Sequence, residues 1–469
     1  MFPGLTTAYW LTLHGLATVV AILLYVIASH VLHQRRHPSA AIAWVLFILL
    51  MPYVALPAFL TFGSRKQARP RNRTALAAPD PAAPALEGSW AVQTATALGQ
   101  PAPAAYHAFH LHAGGSEALA ALWQVIYGAE HTIDLCTFIL GDDALGAQVV
   151  ERLCARARAG VQVRLMLDGL GRLMGGRPDL KPLRDCGGEV TLFVPPLHSP
   201  LKGRTNLRDH RKLLIADAAL DARRLWSGGR NLSGEYFEGA RGQAPWRDLS
   251  FDLRGTLVLQ ASALFEHDWA FANGRKAAAE STLPMDTTTP PAPSAQLIAS
   301  GPDQVDDTVH ALLVTAAYRA RWRIQLVTPY FVPDASLLMA LCLAARRGVV
   351  VDLLLPARSN HRLSDVARRR ALRALHAAGA RLWLTPHMQH AKLAVVDDVV
   401  ALTGSTNLDS RSLFLNYELM FAFHDAGAIT ACAAWFERER QAATPHEPSK
   451  AGLASDLAEG LVLWVGFQL

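Results

Sequence analysis

The sequence is poor in cysteine and has no cysteine pair at metal-binding or redox spacing. Five cysteines are scattered through 469 residues, and none lies in a C-x-x-C arrangement. Because their number is odd and their spacing irregular, neither a disulfide framework nor a structural zinc site is indicated. We therefore expect reduced thiols in a cytoplasmic domain.

The first 62 residues lack charge over two long stretches, residues 8–32 and 41–62. Each is close to the ~20 residues that a helix needs to cross the hydrocarbon layer of a bilayer. The first stretch has no basic segment before it, which argues against a cleaved signal peptide. A hairpin of two membrane-spanning helices is therefore predicted, and a buried core hairpin of a soluble domain is the alternative.

Basic residues flank these stretches unequally. Two arginines lie between them and five basic residues follow the second: Arg35 and Arg36, then Arg65, Lys66, Arg69, Arg71 and Arg73. This excess predicts that the downstream chain lies in the cytoplasm. The net charge of +6 also favours an anionic partner, either nucleic acid or an anionic lipid surface.

The remaining chain predicts a linker and two similar α/β halves. Helical and strand periodicities alternate twice in the same order, which indicates mixed sheets covered by helices and two halves packed about a pseudo-twofold axis. The predicted units are an anchor with a basic flank (1–73), an Ala/Pro-rich linker (74–106), a first half (107–285), a second half (286–440) and an amphipathic tail (441–469).

The predicted elements of the two halves correspond one to one. Helices are expected at 117–130, 143–159, 180–186, 305–320, 335–347 and 363–378, and strands at 131–138, 161–167, 189–194, 323–328, 349–355 and 381–385. We expect a functional site where the two halves meet, since such a junction forms a cleft.

One motif recurs in both halves. An H-x-K-x4-D pattern followed by G-x-x-N places His210, Lys212, Asp217, Gly228 and Asn231 in the first half, and His390, Lys392, Asp397, Gly404 and Asn407 in the second. A single copy is weak evidence because short patterns arise by chance. Two copies at matching positions of two similar halves indicate one shared site.

The residue types in this motif suit phosphoryl transfer. Residues two apart on a strand face the same side, so each histidine and its lysine are expected in one pocket. One histidine can attack phosphorus, while the other protonates the leaving alkoxide and later deprotonates the acceptor. Lysines and asparagines would neutralise and hydrogen-bond the phosphate. The protein itself supplies the positive charge, so no metal and no cofactor are expected.

These residues resemble the phospholipase D superfamily and, within it, the bacterial cardiolipin synthases. Residues 35–39, 328–334, 404–412 and 416–418 are also similar to that family. The resemblance implies transfer of a phosphatidyl group between two phosphatidylglycerol molecules, with release of glycerol and formation of cardiolipin. It implies anionic membrane lipid as the partner rather than nucleic acid, and a multi-pass location in the bacterial inner membrane. Lipid hydrolysis, another donor or acceptor, a nuclease and a non-catalytic membrane scaffold are the alternatives.

The resemblance also implies individual roles. His210 and His390 would be nucleophile and general acid/base, with His210 favoured as the nucleophile. Glu418, and Asp248 at the corresponding place of the first half, would orient them. Asp217 and Asp397 would hold the strand–turn geometry, and the substrate would be contacted by Gly228, Asn231, Ser405 and Asn407. Asp209 stands where the family commonly has Asn, and a carboxylate there would raise the pKa of His210 or repel phosphate, which leaves the choice of nucleophile open.

Three other features have two interpretations each. The histidines His107, His110 and His112 lack acidic or cysteine neighbours in sequence, which favours a surface loop over a metal site. The arginine-rich stretch 368–373 is either a solvated helix face or a face toward anionic lipid. Residues 453–469 form either an interfacial amphipathic helix or a cap on the core.

Overall fold

Two mixed β-sheets with the same strand order form the centre of the protein. The computed structural model describes residues 3–31, 38–62, 89–195, 206–240, 242–275 and 293–452, together with residues 456, 459, 460 and 462. The N-terminal region comprises α1 (Pro3–Val31), α2 (Pro38–Leu50), α3 (Pro52–Phe62), α4 (Ser89–Ala97) and β1 (Ala104–Ala105).

The first half alternates strands and helices. Its elements are β2 (His107–His112), α5 (Gly115–Tyr127), β3 (Thr132–Thr137), α6 (Ala144–Arg158), β4 (Gln162–Leu167), α7 (Gly169–Met174), α8 (Lys181–Asp185), β5 (Glu189–Leu192), β6 (Arg208–Asp209), β7 (Leu213–Ala216), β8 (Arg224–Gly228), β9 (Ser250–Arg254) and α9 (Leu257–Ala272). The sheet order is β2-β9-β8-β7-β3-β4-β5, with β3, β4 and β5 parallel.

The second half repeats this arrangement. Its elements are β10 (Ser294–Ser300), α10 (Thr308–Arg319), β11 (Arg323–Val327), β12 (Phe331–Val332), α11 (Ala335–Arg346), β13 (Val350–Pro356), α12 (Arg362–Ala377), β14 (Arg381–Thr385), β15 (Leu393–Val396), β16 (Val400–Gly404), β17 (Leu408–Asp409), α13 (Ser410–Phe414), β18 (Asn416–Phe423), α14 (Ala426–Gln441) and β19 (Thr444–Pro445). The order β10-β18-β16-β15-β11-β13-β14 matches that of the first sheet, and β6 of the first half pairs with β18.

The predicted alternation of helices and strands is confirmed in both halves, with element ends that differ by at most three residues. The reason is local: each helix has a buried apolar stripe, and each strand has a short apolar run flanked by turns. The inner faces of both sheets share one core in which Phe251 packs against Phe421 and Phe423. The halves are therefore joined by continuous aromatic packing.

The three N-terminal helices form a small cluster of their own around Ala21, Tyr25, Ile48, Ala55 and Phe59. The second predicted membrane stretch is divided between α2 and α3, because Pro52 has no N–H with which to continue the preceding helix. Judged by length and hydropathy together, none of the helices in the described part of the chain qualifies as a membrane span. The two spans therefore stay a prediction.

Part of the predicted linker has defined structure. Ala91 and Ala95 of α4 pack into the outer core of the second half, and β1 pairs with β10. The side chain of Gln100 accepts a hydrogen bond from the backbone N–H of Ala299 at 2.8 Å. Residues 89–105 therefore pack on the second half, whereas residues 74–88 lie outside the described chain.

The expectation that all cysteines are reduced thiols is wrong for two of them. Cys154 at the end of α6 and Cys186 after α8 form a disulfide with a Cα–Cα distance of 5.6 Å. Cys136, Cys342 and Cys432 are free. The pair was missed because its partners are 32 residues apart in sequence and meet only through the packing of α6 on α8.

The histidine-rich segment also differs from expectation. Residues 107–112 form the edge strand β2 instead of a loop, and Asp252 of the neighbouring β9 supplies the acidic partner that the local sequence lacks. The carboxylate of Asp252 lies 2.7 Å from Nε2 of His112 and 3.5 Å from Nδ1 of His110. Pairing across the sheet, which local sequence does not reveal, creates this contact.

The arginines of α12 are largely engaged within the protein. Arg368 is buried and donates to the backbone oxygens of Pro356 and Ala357. Arg373 pairs with Glu459, and Arg370 approaches Asp456 at 3.6 Å. Asp456 and Glu459 of the C-terminal segment therefore contact arginines of α12, and both interpretations of residues 453–469 stay predictions.

The two motif aspartates hold corresponding turns. Asp217 has a positive φ of 51° and its carboxylate accepts the N–H groups of Glu130, His131 and Thr132. Asp397 has a φ of 50° and accepts those of Arg321, Trp322 and Arg323. Each carboxylate thus secures the turn before a central strand, away from the other motif side chains.

Replacing Asp217 by alanine should lower the free energy of unfolding by about 2 kcal/mol, because three N–H donors lose an ionised acceptor. Urea unfolding of the detergent-solubilised protein measures this change. Asp221→Ala is the matched control, since the Asp221 side chain is fully exposed and its 3.6 Å distance to Arg223 is too long for a hydrogen bond. Equal stability of the two variants would contradict the proposed bracing role.

Candidate active site

The two H-x-K segments lie side by side at the junction of the halves. His210 and Lys212 occupy extended chain between β6 and β7, and His390 and Lys392 directly precede β15. They therefore lie at the strand ends, just outside the strands in which they were predicted. Each lysine still lies next to its histidine, as expected. Lys212 Nζ donates to the backbone oxygen of His210 at 2.7 Å, and Lys392 makes the same contact with His390.

Each motif histidine is oriented by a carboxylate of the opposite half. His210 Nδ1 lies 3.1 Å from Glu418, and His390 Nδ1 lies 2.6 Å from Asp248. The backbone follows the same reciprocal pattern, because His210 N donates to the oxygen of Tyr417 and His390 N donates to that of Arg247. With Nδ1 bound to the carboxylate, Nε2 is the nitrogen of each ring that can attack phosphorus or exchange a proton, and Nε2 of His390 also lies 3.0 Å from Lys392 Nζ.

The two orienting acids are held in different ways. Glu418 accepts hydrogen bonds from Ser405 Oγ and from Asn416 Nδ2, the latter at 3.2 Å. The position that corresponds to Ser405 in the first half is Gly229, where a Cβ atom would lie 2.3 Å from Asp248 Oδ1. A glycine therefore accompanies the closely packed aspartate, and a serine accompanies the glutamate.

Burial determines the protonation of this site. Burial lowers the pKa of His210, an effect that Glu418 opposes, and burial together with Lys392 lowers the pKa of His390 to about 3. Burial alone would raise the pKa values of Glu418 and Asp248, but the adjacent histidines and lysines hold them below their ordinary values. The ligand-free site therefore contains neutral imidazoles beside ionised carboxylates.

The lysines respond to the same surroundings. Burial lowers the pKa of Lys212 to about 8 and that of Lys392 to about 7, although Glu418 and Asp248 oppose the change. A bound phosphate would favour the charged form of both ammonium groups. Two cationic side chains beside two imidazole Nε2 atoms form a site suited to attack on phosphorus with stabilisation of the developing charge.

Arg211, between the two motif residues of the first half, was not predicted as a site residue. It is fully buried on the far side of the segment, where Nη1 contacts both carboxylate oxygens of Asp268 at 2.6 Å. Nη2 reaches Asp303 at 3.1 Å, and Nε donates to the backbone oxygen of Glu418 at 3.1 Å. It thus ties the first motif to the strand that carries the orienting glutamate; its counterpart in the second half is Ala391.

The expected effect of Asp209 on His210 is wrong. Adjacent residues of an extended chain face opposite sides, so the Asp209 side chain points away from the imidazole. It accepts from the N–H of Arg211 at 3.0 Å and from Cys136 Sγ at 3.1 Å. Burial and the nearby Asp268 raise the pKa of Asp209 to about 8, which favours its neutral form near pH 7.

Aromatic rings form walls around the two histidines. The ring of Phe138 lies 4.9 Å from that of His210, and the rings of Tyr236 and Trp246 lie 5.1 and 5.5 Å from that of His390. Trp246 precedes the predicted orienting acid Asp248 by two residues and was not itself predicted as a site residue. Phe138 was predicted only as the end of a strand, and Tyr236 lies in a short 3-10 helix without a periodic pattern, so neither was predicted as a site residue.

The four predicted substrate contacts occupy different environments. Asn231 accepts from Ile139 N and donates to Tyr236 Oη, whereas Asn407 donates to Ser412 Oγ. Among the described residues, the Asn407 side-chain oxygen has no hydrogen-bond partner. At Gly228 (φ 143°) a Cβ atom would lie 2.3 Å from the Leu249 oxygen, so strand packing requires this glycine.

A metal centre among the motif residues has no support from the geometry. Within the described ranges, the one cluster of three potential metal ligands is His267, Asp268 and Asp303. Both of its aspartates pair with Arg211. The guanidinium group already provides the positive charge that these carboxylates need.

Comparison with known proteins agrees with the arrangement of the two motifs. A family profile described as "Cardiolipin synthase, PLD-like domain" matches residues 313–440, and one described as "Phospholipase_D-nuclease N-terminal" matches residues 19–64. Cardiolipin synthase A of Pseudomonas fluorescens is 31% identical over 442 residues, which cover 89% of this chain and 88% of that protein. The chain belongs to the cardiolipin synthase family.

Other relatives agree with this membership. Cardiolipin synthase A of Klebsiella pneumoniae is 31% identical over 449 residues, 90% of each chain. The crystal structure of a phosphatidylserine synthase from Haemophilus influenzae shares the fold with a TM-score of 0.59 at 12% identity, and covers 82% of this chain and 100% of that chain. In this family member, both motifs are complete and converge on one site.

Asp248→Asn should lower turnover by roughly 10²- to 10⁴-fold, because an amide cannot hold His390 in the tautomer that leaves Nε2 free. Glu418→Gln should act in the same way on His210. Initial rates of phospholipid turnover, together with circular dichroism, check the expectation. The matched control is Asp252→Asn, which removes a histidine partner on the edge strand β2; similar losses in control and test variants would contradict the role.

Specificity constants should fall as the pH rises through about 7 to 8, the range of the depressed lysine pKa values. Each lysine is charged below its pKa and neutral above it, so attraction for an anionic substrate is lost in that direction. The kcat profile should lose activity only at higher pH, because bound phosphate raises both pKa values. A kcat/KM value that stays constant to pH 9.5 would exclude this assignment.

Proposed function

We propose that this protein is a cardiolipin synthase that transfers a phosphatidyl group between two phosphatidylglycerol molecules through a phosphohistidine. The observation that carries the proposal is the convergence of His210 and His390, each paired with a carboxylate of the other half. Family membership supplies the reaction, since the relatives at 31% identity are cardiolipin synthases. Gly228, Ser405 and the motif aspartates shape the site rather than contact substrate in this proposal.

The reaction uses one histidine as nucleophile and the other for proton transfer. Nε2 of the first attacks phosphorus, an N–P bond forms, and the bond from phosphorus to the glycerol oxygen breaks. The second histidine, whose pKa rises beside the bound phosphate, donates the proton that leaves with glycerol. It then takes the proton of the headgroup hydroxyl of a second phosphatidylglycerol, whose oxygen displaces the nucleophilic histidine from phosphorus.

Two arguments favour different nucleophiles. The resemblance to better-studied relatives favours His210. Burial and Lys392 lower the pKa of His390 to about 3, which favours a ring that stays neutral beside an anionic phosphate, as a nucleophile must. Lys212 and Lys392 flank both rings in either case. Asn231 and Asn407 each donate one side-chain N–H within the protein, so each keeps a second N–H for a phosphate oxygen.

We infer that the enzyme is attached to the bacterial inner membrane by α1–α3. These helices bury five side chains among themselves and leave a series of large apolar ones exposed, including Leu13, Leu16, Val19 and Leu23. Such a surface is unusual in contact with water and suits hydrocarbon. A hairpin anchor over residues 1–73 therefore precedes the two catalytic units, residues 107–285 and 286–440.

The excess of basic residues after the second stretch supports a catalytic domain on the cytoplasmic side. The disulfide between Cys154 and Cys186 argues in the other direction, since such bonds are typical of oxidising compartments.

Purified protein should convert phosphatidylglycerol micelles into cardiolipin and free glycerol in equal amounts without added metal. His210→Ala and His390→Ala should each lower the rate at least about 10³-fold, since proton transfer or covalent catalysis is lost. His107→Ala is the control, because His107 is exposed on the edge strand β2. Chromatography of the lipids and an enzymatic glycerol assay measure the products.

The outcomes separate the alternatives. Phosphatidic acid in place of cardiolipin would mean hydrolysis, and absence of any product would favour a scaffold. Near-normal activity of either histidine variant would exclude the two-histidine mechanism. Mass spectrometry of acid-sensitive adducts, trapped from labelled substrate, would identify the nucleophile.

A further inference from the structure

Helix α7 lies directly beside the site opening. Asp168 caps this helix through the N–H groups of Leu170 and Gly171, and its second oxygen accepts the N–H of Asp209 at 2.9 Å. A Cβ atom on Gly171 would lie 1.8 Å from the backbone oxygen of Phe138, whose ring contacts His210. The helix is therefore tightly attached to the loop that forms one wall of the site.

This short helix exposes apolar side chains to solvent. Leu170, Leu173 and Met174 are 37%, 36% and 54% exposed, although they follow a fully buried strand end. The corresponding place in the second half, after β13, exposes Leu363 at 52%. β4 and β13 run parallel to β3 and β11, whose C-terminal ends adjoin the starts of β7 and β15 beside the motif residues. Both exposed groups therefore follow strand ends on the site side of their sheets.

Positive charge accompanies the apolar residues. Arg358 and Arg362 are exposed beside Leu363, while the neighbouring Asp365 is engaged with Arg368 and with the N–H of Ser359. Helix α7 contributes mainly apolar side chains to this surface. We call Leu170, Leu173, Met174, Arg358, Arg362 and Leu363 the docking rim.

We propose that the docking rim binds the surface of an anionic phospholipid bilayer and so presents lipid headgroups to the two histidines. The inference rests on the proposed function, which requires a phosphate at headgroup depth to reach a buried imidazole. Apolar side chains that enter the interface, combined with arginines that meet anionic headgroups, are the features of an interfacial binding surface. A second protein seated on the rim is the competing occupant.

A matched control surface lies at the opposite strand ends of the second sheet. Tyr318 and Trp322 are 47% and 45% exposed, but they precede β11 and so lie at the end of the strand remote from the site. They resemble the rim in hydrophobicity and are flanked by arginines as well. Their position at the other end of the strands makes them suited to test placement.

The first test measures how deeply the docking rim enters the membrane and does not depend on catalytic turnover. Full-length protein with Leu173→Cys or Tyr318→Cys, in a Cys342→Ser background, is labelled with bimane and reconstituted into vesicles that carry lipid-attached spin labels. In vesicles of phosphatidylglycerol and phosphatidylcholine, quenching at position 173 should exceed that at 318 at least about threefold. It should fall in pure phosphatidylcholine and at high salt, because charge attraction is screened. Equal quenching at both positions, or quenching independent of lipid charge, would overturn the proposal.

The second test compares two forms of substrate. Leu173→Ser/Met174→Ser should lower turnover of phosphatidylglycerol in vesicles at least about fivefold, mainly through a higher KM for surface lipid. Turnover of monomeric short-chain phosphatidylglycerol should change less than twofold, and Tyr318→Ser/Trp322→Ser should match wild type in both assays. Equal losses on both substrates would contradict membrane docking. Quenching at 173 without any cardiolipin would leave docking intact and refute the proposed function instead.

Discussion

A histidine of one half hydrogen-bonds a carboxylate of the other half on both sides of the site, and the remaining geometry depends on these two pairs. His210 meets Glu418 across 208 residues of sequence, and His390 meets Asp248 across 142. Neither half contains a complete site, because its histidine would lack the group that orients it. Burial of two histidines, two lysines and two acids is tolerated because each charge has a partner across the junction.

The two histidine–carboxylate pairs have nearly the same geometry, but the residues that hold them in place differ between the halves. Arg211 is buried with Asp268 and Asp303 and also holds the backbone of Glu418, whereas the second motif has only Ala391 at this position. The difference continues in the acids, since Ser405 braces the longer glutamate and Gly229 makes room for the shorter aspartate. Two copies of one unit have thus reached the same histidine geometry through different contacts, which allows the two rings to take different roles.

Much of the fold and the identity of the motif residues followed from sequence for local reasons. Apolar periodicity depends on the conformation of a few neighbouring residues, so the twelve helices and strands predicted from it are correct to within three residues. The duplicated H-x-K-x4-D pattern likewise identified His210, Lys212, His390 and Lys392. Contacts between distant segments left no such pattern, which is why Arg211, Tyr236 and the disulfide of Cys154 were missed.

The two-half architecture and the chemical groups of the site can therefore be predicted from local sequence patterns. The pairing of each acid with its histidine, the side to which Asp209 points, and the contacts of Ser405 and Asn231 with protein groups depend on the packing of distant segments. That packing also makes the histidine-rich segment an edge strand paired with Asp252. These contacts form because of how the two sheets pack and because of the side of the extended chain to which each residue points. Neither property is encoded in local spacing alone.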